Sequence, residues 1–182
     1  MEETGEDGYL PKIRDFILKV IYTNQQADEL VADGFKFRQF DDIRRERLDR
    51  GAIGFCIFVG QELANIGWVA MNEEAQRSIL DLPIKVDFSN NEAFLGSGWT
   101  HPKYRGMRLH GYNLFKRLQF LREKGVAIQR SVAKTRNIAS QKGSNVFSPK
   151  IYAESRYLKI LWWKFWKETP TNAELSEKLG SQ

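Results

Sequence analysis

The chain has 182 residues, 42% of them hydrophobic and 13% aromatic, which is enough for one globular domain with a sizeable core and argues against disorder. Its single cysteine, Cys56, excludes an internal disulfide, and its apolar neighbours predict a buried thiol in a reducing, cytoplasmic compartment rather than a nucleophile. No apolar run approaches the ~20 residues that span a bilayer, and we expect neither a membrane anchor nor a secretory signal.

The net charge of +5 conceals two halves of opposite sign. Residues 101–170 hold 16 Lys and Arg against 3 acidic side chains, whereas the rest of the chain holds 12 against 20. A strongly basic segment indicates an anionic partner. The phosphates of a small cofactor and those of a nucleic acid both satisfy this requirement, so charge alone does not choose between them.

The first half of the chain predicts short helices followed by a hairpin. Residues 1–11 lack periodicity and are expected to form a loose tail, and the apolar spacing in 13–22 predicts a helix, although its Ile, Val and Tyr content also suits a strand within 16–22. Further helices are expected at 25–33, ended by Gly34, and at 41–50, with Asp41 or Asp42 as the N-cap and Gly51 as the stop. The apolar runs 52–59 and 63–71 predict two strands of a hairpin.

The second half predicts a crossover and a return to strands. A strand at 93–100, a helix at 107–124 and a strand at 126–133 form a unit whose two strands should lie parallel. A short helix at 137–145 and strands at 150–157 and 158–167, with a bend near Arg156, are expected to complete the sheet before a polar tail at 169–182. The predicted fold is α/β of the α+β type, with a single mixed, mostly antiparallel twisted sheet flanked by helices in one domain, 1–182.

The run from Gly98 to Gly111 carries the chemistry. Pro102 ends a strand, and a tight basic turn then leads directly into a long helix, whose first N–H groups can bind an anion. Gly106 allows a phosphate to approach the backbone, and Arg105 and Arg108 add charged hydrogen-bond donors. These features predict a pyrophosphate site between a strand and a helix.

Pro102, Tyr104, Arg105 and Gly106 resemble the cofactor motif of the Gcn5-related N-acetyltransferase superfamily, in which a strand is followed by Pro-x-Tyr-Arg-Gly-x-Gly-x-Gly. Arg108 and His110 replace the other two glycines of that motif. The resemblance implies an acyl-CoA N-acyltransferase-like fold with acetyl-CoA as co-substrate. The cofactor contacts that it implies are Trp99, Thr100, Arg105, Gly106, Met107, Arg108, Leu109, His110, Gly111, Asn137 and Ser140.

The implied reaction is the direct attack of an amine on the thioester in a ternary complex. The strand 97–100 would supply a backbone N–H to the thioester oxygen, and Gly96 and Gly98 suit a bulged or splayed strand that a ligand approaches. Glu92, or next Asp87, is a candidate base, with a water chain as the alternative. The tyrosine that protonates the thiolate in many family members is replaced by Ser144, so Tyr152 is a candidate substitute.

Other functions are compatible with parts of the sequence. The acceptor is expected to be an amine of a small molecule or a protein, and a non-catalytic acyl-CoA-binding module is the main alternative. A nucleic-acid-binding domain ranks last, because the basic residues do not form a recognised nucleic-acid motif. The aromatic run 158–167 is expected to be a buried strand, and the basic helix face that includes Arg117 a solvated surface. His101 and His110 lack neighbouring ligands and predict no metal site, and an aromatic final strand would suit a homodimer.

Overall fold

The computed structural model describes residues 6–37 and 41–171. Its internal contacts divide the chain into two compact units, Met1–Gly143 and Ser144–Gln182, which are described separately. Within the described ranges, no helix is both long and apolar enough to cross a membrane. The proposed N-caps Asp41 and Asp42 fall outside the side chains that the structure describes, as do the polar residues 172–182.

The regular elements follow the predicted order closely. In chain order they are β1 (Ile17–Ile21), α1 (Asn24–Ala32), α2 (Asp41–Asp49), β2 (Ile53–Val59), β3 (Glu62–Ala70), α3 (Glu73–Ile79), β4 (Glu92–Thr100), α4 (Leu109–Glu123), β5 (Ile128–Ser131), α5 (Ile138–Asn145), β6 (Ala153–Ile160) and β7 (Trp163–Pro170). Short 3-10 turns occupy Glu6–Tyr9, Phe88–Asn90 and Pro102–Tyr104.

The sheet of the first unit has five strands in the order β1-β2-β3-β4-β5. Neighbouring strands are antiparallel except for β4 and β5, which lie parallel. The parallel pair is joined by α4, as the predicted crossover requires. The mixed, mostly antiparallel sheet with flanking helices is therefore confirmed.

The core lies on both faces of the two central strands. All residues of β3 after Glu62 are buried, as are the five inner residues of β2, which explains why both strands are continuous apolar runs rather than alternating ones. Cys56 is fully buried among them, as predicted, and burial raises the pKa of its thiol. The chain reverses between these strands at Gly60, whose φ of 57° favours glycine.

The amino terminus decides between two predicted alternatives for residues 13–22, a helix and a strand within 16–22. Residues 17–21 form strand β1, because pairing with the edge of β2 prevails over a helical spacing of apolar side chains. Within the segment predicted to be a loose tail, Glu6–Tyr9 form a 3-10 turn. There the Glu6 carboxylate accepts a hydrogen bond from the Tyr112 hydroxyl at 2.8 Å and forms an ion pair with Lys116 at 2.9 Å.

In the second unit, β6 and β7 pair antiparallel as a separate two-stranded sheet. The prediction that these strands complete the main sheet is therefore wrong, because they pair with each other. Their turn lies at Leu161 and Trp162, not near Arg156, which pairs with Lys167 inside the ladder. The predicted burial of the aromatic run is also wrong within this unit, where Trp162 and Trp163 are exposed.

Candidate functional site

A β-bulge interrupts the centre of β4. Ile66 pairs with Trp99 and Trp68 pairs with Gly96, so Ser97 and Gly98 together stand opposite the single residue between them on β3. Ser97 adopts a φ of 49°, the left-handed conformation that such an extra residue can require. The bulge predicted from the glycines of this strand is confirmed.

The bulge changes which face of the sheet the strand presents. A Cβ built on Gly96 would lie 2.7 Å from Ile79 of α3, whereas one built on Gly98 would lie 3.5 Å from the ring of His110 on α4. Residues two apart in a regular strand face the same side, so the inserted residue turns Gly98 towards α4. The strand backbone is thereby brought directly beneath the start of that helix.

One edge of β4 is unpaired beyond the bulge. The parallel ladder with β5 ends at Leu95 and Ser131, and among the described residues no strand follows β4 further on that side. The side chains of β4 change at the same point from buried to partly or fully exposed. A ligand with amide groups can therefore form main-chain hydrogen bonds along residues 96–100.

The loop after β4 is fixed by a buried tyrosine. Tyr104 is 7% exposed and packs in a cluster with Leu109 and Tyr112. Its hydroxyl donates a hydrogen bond of 2.6 Å to Glu62, which also pairs with Lys103 at 3.3 Å. The hydrogen bond from Tyr104, followed by that from Lys103, lowers the pKa of the Glu62 carboxyl. Tyr104 is thus a structural anchor of the loop.

The start of α4 presents free backbone donors. Gly106 has a φ of 77° and Arg108, the N-cap residue, has a φ of 62°. No side chain among the described residues caps the helix. The first intrahelical bond is from the Tyr112 N–H to the Arg108 carbonyl, at 3.1 Å, so the N–H groups of residues 109–111 have no partner within the helix. Together with the helix dipole, these donors can bind an anion.

The side chains of this loop separate into exposed and buried groups. Arg105, Met107 and Arg108 are exposed, as is Gly106, whereas Leu109 is 1% exposed and belongs to the core. Two guanidinium groups are therefore free to reach an anion at the helix start, while Leu109 can contribute only its backbone N–H. Among the described residues, no atom beyond the two adjacent residues lies within 4 Å of a Cβ built on Gly106, so a ligand can approach the main chain there.

His110 lies between β4 and α5. Its Cδ2 atom lies 2.8 Å from the position of a Cβ on Gly143, and its other side faces Gly98. The Nε2 atom is buried and has no hydrogen-bond partner within residues 6–37 and 41–171. Desolvation, followed by repulsion from Arg117, lowers the pKa of His110 to about 4, so the ring is neutral at physiological pH and can hydrogen-bond a neutral ligand.

Asn137 and Ser140, which were predicted as cofactor contacts, lie at the start of α5 and bond to each other. The Asn137 side chain accepts a hydrogen bond of 3.2 Å from the Ser140 N–H, which makes it the N-cap of α5. Its amide nitrogen can still donate to a ligand. Trp99 and Thr100 are held at the end of β4 by the buried Asn65, whose amide donates to the Trp99 carbonyl at 3.0 Å and to the Thr100 hydroxyl at 2.8 Å.

The position of Glu92 argues against the base that the sequence suggested. Both carboxylate oxygens accept hydrogen bonds from Arg130, at 2.6 and 2.7 Å. This pairing lowers the pKa of Glu92, whereas a base for an ammonium group needs a raised one. Glu92 also begins β4, roughly 13 Å from Gly96 at about 3.3 Å per residue. The Glu92 side chain instead links β4 to β5 through its hydrogen bonds with Arg130.

Asp87 and Tyr152 are the other candidate catalytic groups. Asp87 accepts hydrogen bonds from Ser89 and Asn90, which lower the pKa of its carboxyl. Tyr152 belongs to the second unit, where its carbonyl accepts a hydrogen bond of 2.9 Å from the Thr171 N–H. Among the described residues, no three His, Cys, Asp or Glu side chains are placed to hold a metal ion.

Sequence reasoning missed two side chains on α4. Arg117 was expected on a solvated face but is 3% exposed, and Asn113 is fully buried. Their spacing from His110, three and seven positions along the helix, places them on one face with the buried Leu114 and Leu121. That periodicity was the available signal, but the neighbouring Lys116 made Arg117 resemble part of a charged surface.

No family model matches the sequence, and no curated protein matches it. Solved structures with this architecture do match. The aminoglycoside N-acetyltransferase AAC(6')-Iy, bound to the bisubstrate analogue CoA-S-monomethyl-acetylneamine, superposes with a TM-score of 0.55 at 12% identity, covering 81% of this chain and 99% of the other. The chain has the fold of the Gcn5-related N-acetyltransferases.

Two further acetyltransferases share this fold. A Trypanosoma brucei acetyltransferase has a TM-score of 0.53 at 13% identity, with 80% of this chain and all of the other covered. Aminoglycoside 6'-N-acetyltransferase AAC(6')-Ih from Acinetobacter baumannii has a TM-score of 0.52 at 14% identity, with coverages of 80% and 97%. The Gcn5-related acetyltransferase fold therefore extends over most of the chain.

Proposed function

We propose that this chain binds acetyl-CoA and transfers its acetyl group to an amine. The observation that carries the proposal is the uncapped start of α4, placed directly after a bulged strand with a free edge. The pyrophosphate would accept hydrogen bonds from the N–H groups of residues 109–111, with Arg105 and Arg108 pairing with its charge. The pantetheine arm would lie along residues 96–100 of β4.

The chemistry follows from that placement. The thioester would lie at the bulge formed by Ser97 and Gly98, where a strand N–H can donate to its oxygen as negative charge develops. The attacking amine forms the new C–N bond, the C–S bond breaks, and CoA leaves as the thiol after proton transfer. Because Ser97 and Gly98 are exposed, water can accept the proton of the amine, in place of the Glu92 carboxylate.

We propose small, polar amines as the acceptor class. Two matched structures are aminoglycoside acetyltransferases, and one carries a bisubstrate analogue built on acetylneamine. Outside residues 101–170 the chain has an excess of acidic side chains, 20 against 12 basic ones, which favours a cationic substrate by electrostatic steering. Thiol release from acetyl-CoA, measured with a panel of polyamines, aminoglycosides and lysine-containing peptides, distinguishes small amines from protein acceptors.

Calorimetric titration with acetyl-CoA tests the binding step. We expect saturable binding by the parent chain and at least a tenfold loss in Arg105→Ala, about 1.4 kcal/mol. Arg122→Ala provides a matched control, because Arg122 is an exposed arginine on α4, away from the start of that helix. Absence of binding by the parent, or equal losses in both variants, would contradict the proposal.

A non-catalytic acyl-CoA-binding module is the second candidate. It is favoured by Ser144, which stands where related enzymes carry a tyrosine, and by the engagement of Glu92 with Arg130. Thiol release from acetyl-CoA in the presence of the amine panel distinguishes the two. Binding without amine-dependent release would support the module, and release that depends on one amine would support the enzyme.

A further inference from the structure

Helix α4 directs three polar side chains into the core, at positions 110, 113 and 117. We call His110, Asn113 and Arg117 the polar face of α4. Asn113 is fully buried and Arg117 is 3% exposed. The same side of the helix carries the buried Leu114 and Leu121, so these polar groups occupy positions where packing alone would favour apolar side chains.

The polar face is incompletely hydrogen-bonded. Arg117 donates to the Trp68 carbonyl at 3.3 Å and Asn113 donates to the Phe55 carbonyl at 2.8 Å. Three side-chain atoms are buried and have no hydrogen-bond partner in the described part of the chain: Nε of Arg117, Oδ1 of Asn113 and Nε2 of His110. None of the described carboxylates pairs with Arg117. Its guanidinium is therefore a buried cation without a counter-ion.

The Arg117 guanidinium packs against β3, at the position opposite the bulge in β4. A Cβ on Gly67 would lie 2.7 Å from Cζ of Arg117 and 2.7 Å from Oδ1 of Asn113. Gly67 is the residue that faces Ser97 and Gly98 across the two strands. With strands about 4.8 Å apart, the guanidinium lies roughly 7 Å from the backbone of the bulge.

Such an arrangement is unfavourable for folding. Burial lowers the pKa of Arg117 to about 10, which reflects the cost of holding the charge away from water. Replacing unsatisfied buried charges by apolar groups of similar volume is often neutral or stabilising. If α4 served only to cover the sheet, a methionine or leucine at position 117 would give a more stable fold.

We propose that Arg117 is a positioning residue for acyl transfer, whose charge raises the electrostatic potential at the bulge and polarises the thioester carbonyl held there. The inference rests on the proposed function and names a residue that acts through the strand, without touching the substrate. The backbone N–H of β4 remains the donor to the oxygen. A unit charge at about 7 Å with an effective dielectric near 20 corresponds to a rate effect of roughly 10- to 50-fold.

The carbonyl stretching frequency of bound acetyl-CoA tests this inference without a known acceptor. Infrared difference spectra are recorded with acetyl-CoA labelled with carbon-13 at the thioester carbonyl, bound to the parent, Arg117→Met and Arg122→Met. We expect the carbonyl frequency to be lower on the parent than in water, most of that shift to be lost in Arg117→Met, and none in Arg122→Met. Arg117→Met should be at least as stable as the parent, which a purely structural role would not produce.

The outcomes separate this inference from the proposed function. Failure of the parent to bind acetyl-CoA overturns the proposed function itself. Binding with a carbonyl shift that survives in Arg117→Met overturns the inference alone. If Arg117→Met does not fold, Arg117→Gln provides a second neutral variant that can still donate to Trp68, and it must lose the same shift. Retention of the shift in a folded Arg117→Gln likewise refutes the role.

Discussion

Replacement of Glu92 by glutamine tests whether this carboxylate holds the sheet together or acts in catalysis. Glu92 receives two charged hydrogen bonds from Arg130, at 2.6 and 2.7 Å, and one from the Asp87 N–H at 2.9 Å. Its side chain is 7% exposed and that of Arg130 27%. The pair therefore joins the parallel strands β4 and β5 at their beginning.

The magnitude follows from these contacts. Glutamine keeps one acceptor oxygen, but its NH₂ group meets the guanidinium as a second donor, so one charged bond is lost and the other is weakened. Hydrogen bonds to charged groups contribute about 1.5–3 kcal/mol each, and partial exposure of Arg130 lets water solvate it in the variant. We expect the free energy of unfolding to fall by about 2–3 kcal/mol.

The pH dependence of this difference has a definite sign. Arg130 lowers the pKa of Glu92 in the folded state below the ordinary value of 4.5. The contribution of the pair is therefore fully present above about pH 4.5 and is lost as the pH falls through the lower, folded pKa. Parent and Glu92→Gln should differ most at neutral pH and converge on acidification.

Urea unfolding followed by tryptophan fluorescence, at several pH values, measures both effects. Glu123→Gln, at the exposed end of α4, is the matched control and should change stability by no more than about 0.5 kcal/mol. Equal stability of the parent and Glu92→Gln, combined with loss of the acidic limb of the rate profile, would refute the reasoning and restore Glu92 as a base.

Further predictions concern the packing of α4 and the loop anchor. Gly67→Ala should lower the free energy of unfolding by about 1–3 kcal/mol, because its Cβ would meet Arg117 at 2.7 Å; an unaltered urea midpoint would contradict that contact. Gly111→Ala has open space around its Cβ and should raise stability by up to about 1 kcal/mol by favouring the helix, as the same unfolding assay will show. Tyr104→Phe should raise the pKa of Glu62 towards its ordinary value, since the tyrosine hydroxyl makes the largest contribution to lowering it; carbon-13 NMR of the carboxyl measures this, and an unmoved pKa would exclude the hydrogen bond.

Local sequence signals predicted most of the first unit. The β2–β3 hairpin, the β4–α4–β5 crossover and the bulge follow from apolar runs, glycine positions and the connection rules. Strand β1 was harder to predict because its side chains are mostly half-buried, and their spacing matches a helix by coincidence. The strands β6 and β7 were predicted as elements, but which strands pair is decided by contacts that no short segment encodes.

The site was predictable only where its parts are contiguous. The loop from His101 to Gly111 is read directly from the chain, because proline, glycine and the helix start adjoin one another. The pairing of Glu92 with Arg130 joins residues 38 apart, and the burial of Arg117 depends on how α4 rotates over the sheet. Such properties follow from tertiary packing, so the sequence could not show that the candidate base Glu92 pairs with Arg130 or that Arg117 is buried.

If the free N–H groups at the start of α4 hold the pyrophosphate of acetyl-CoA, their backbone amide shifts should report it. Nitrogen-15 NMR spectra recorded with CoA and with pantetheine measure these shifts. We expect large changes for residues 106 and 109–111 with CoA and small ones with pantetheine, which lacks the pyrophosphate. Equal responses to both compounds at these amides, or changes confined to other parts of the chain, would contradict this binding mode.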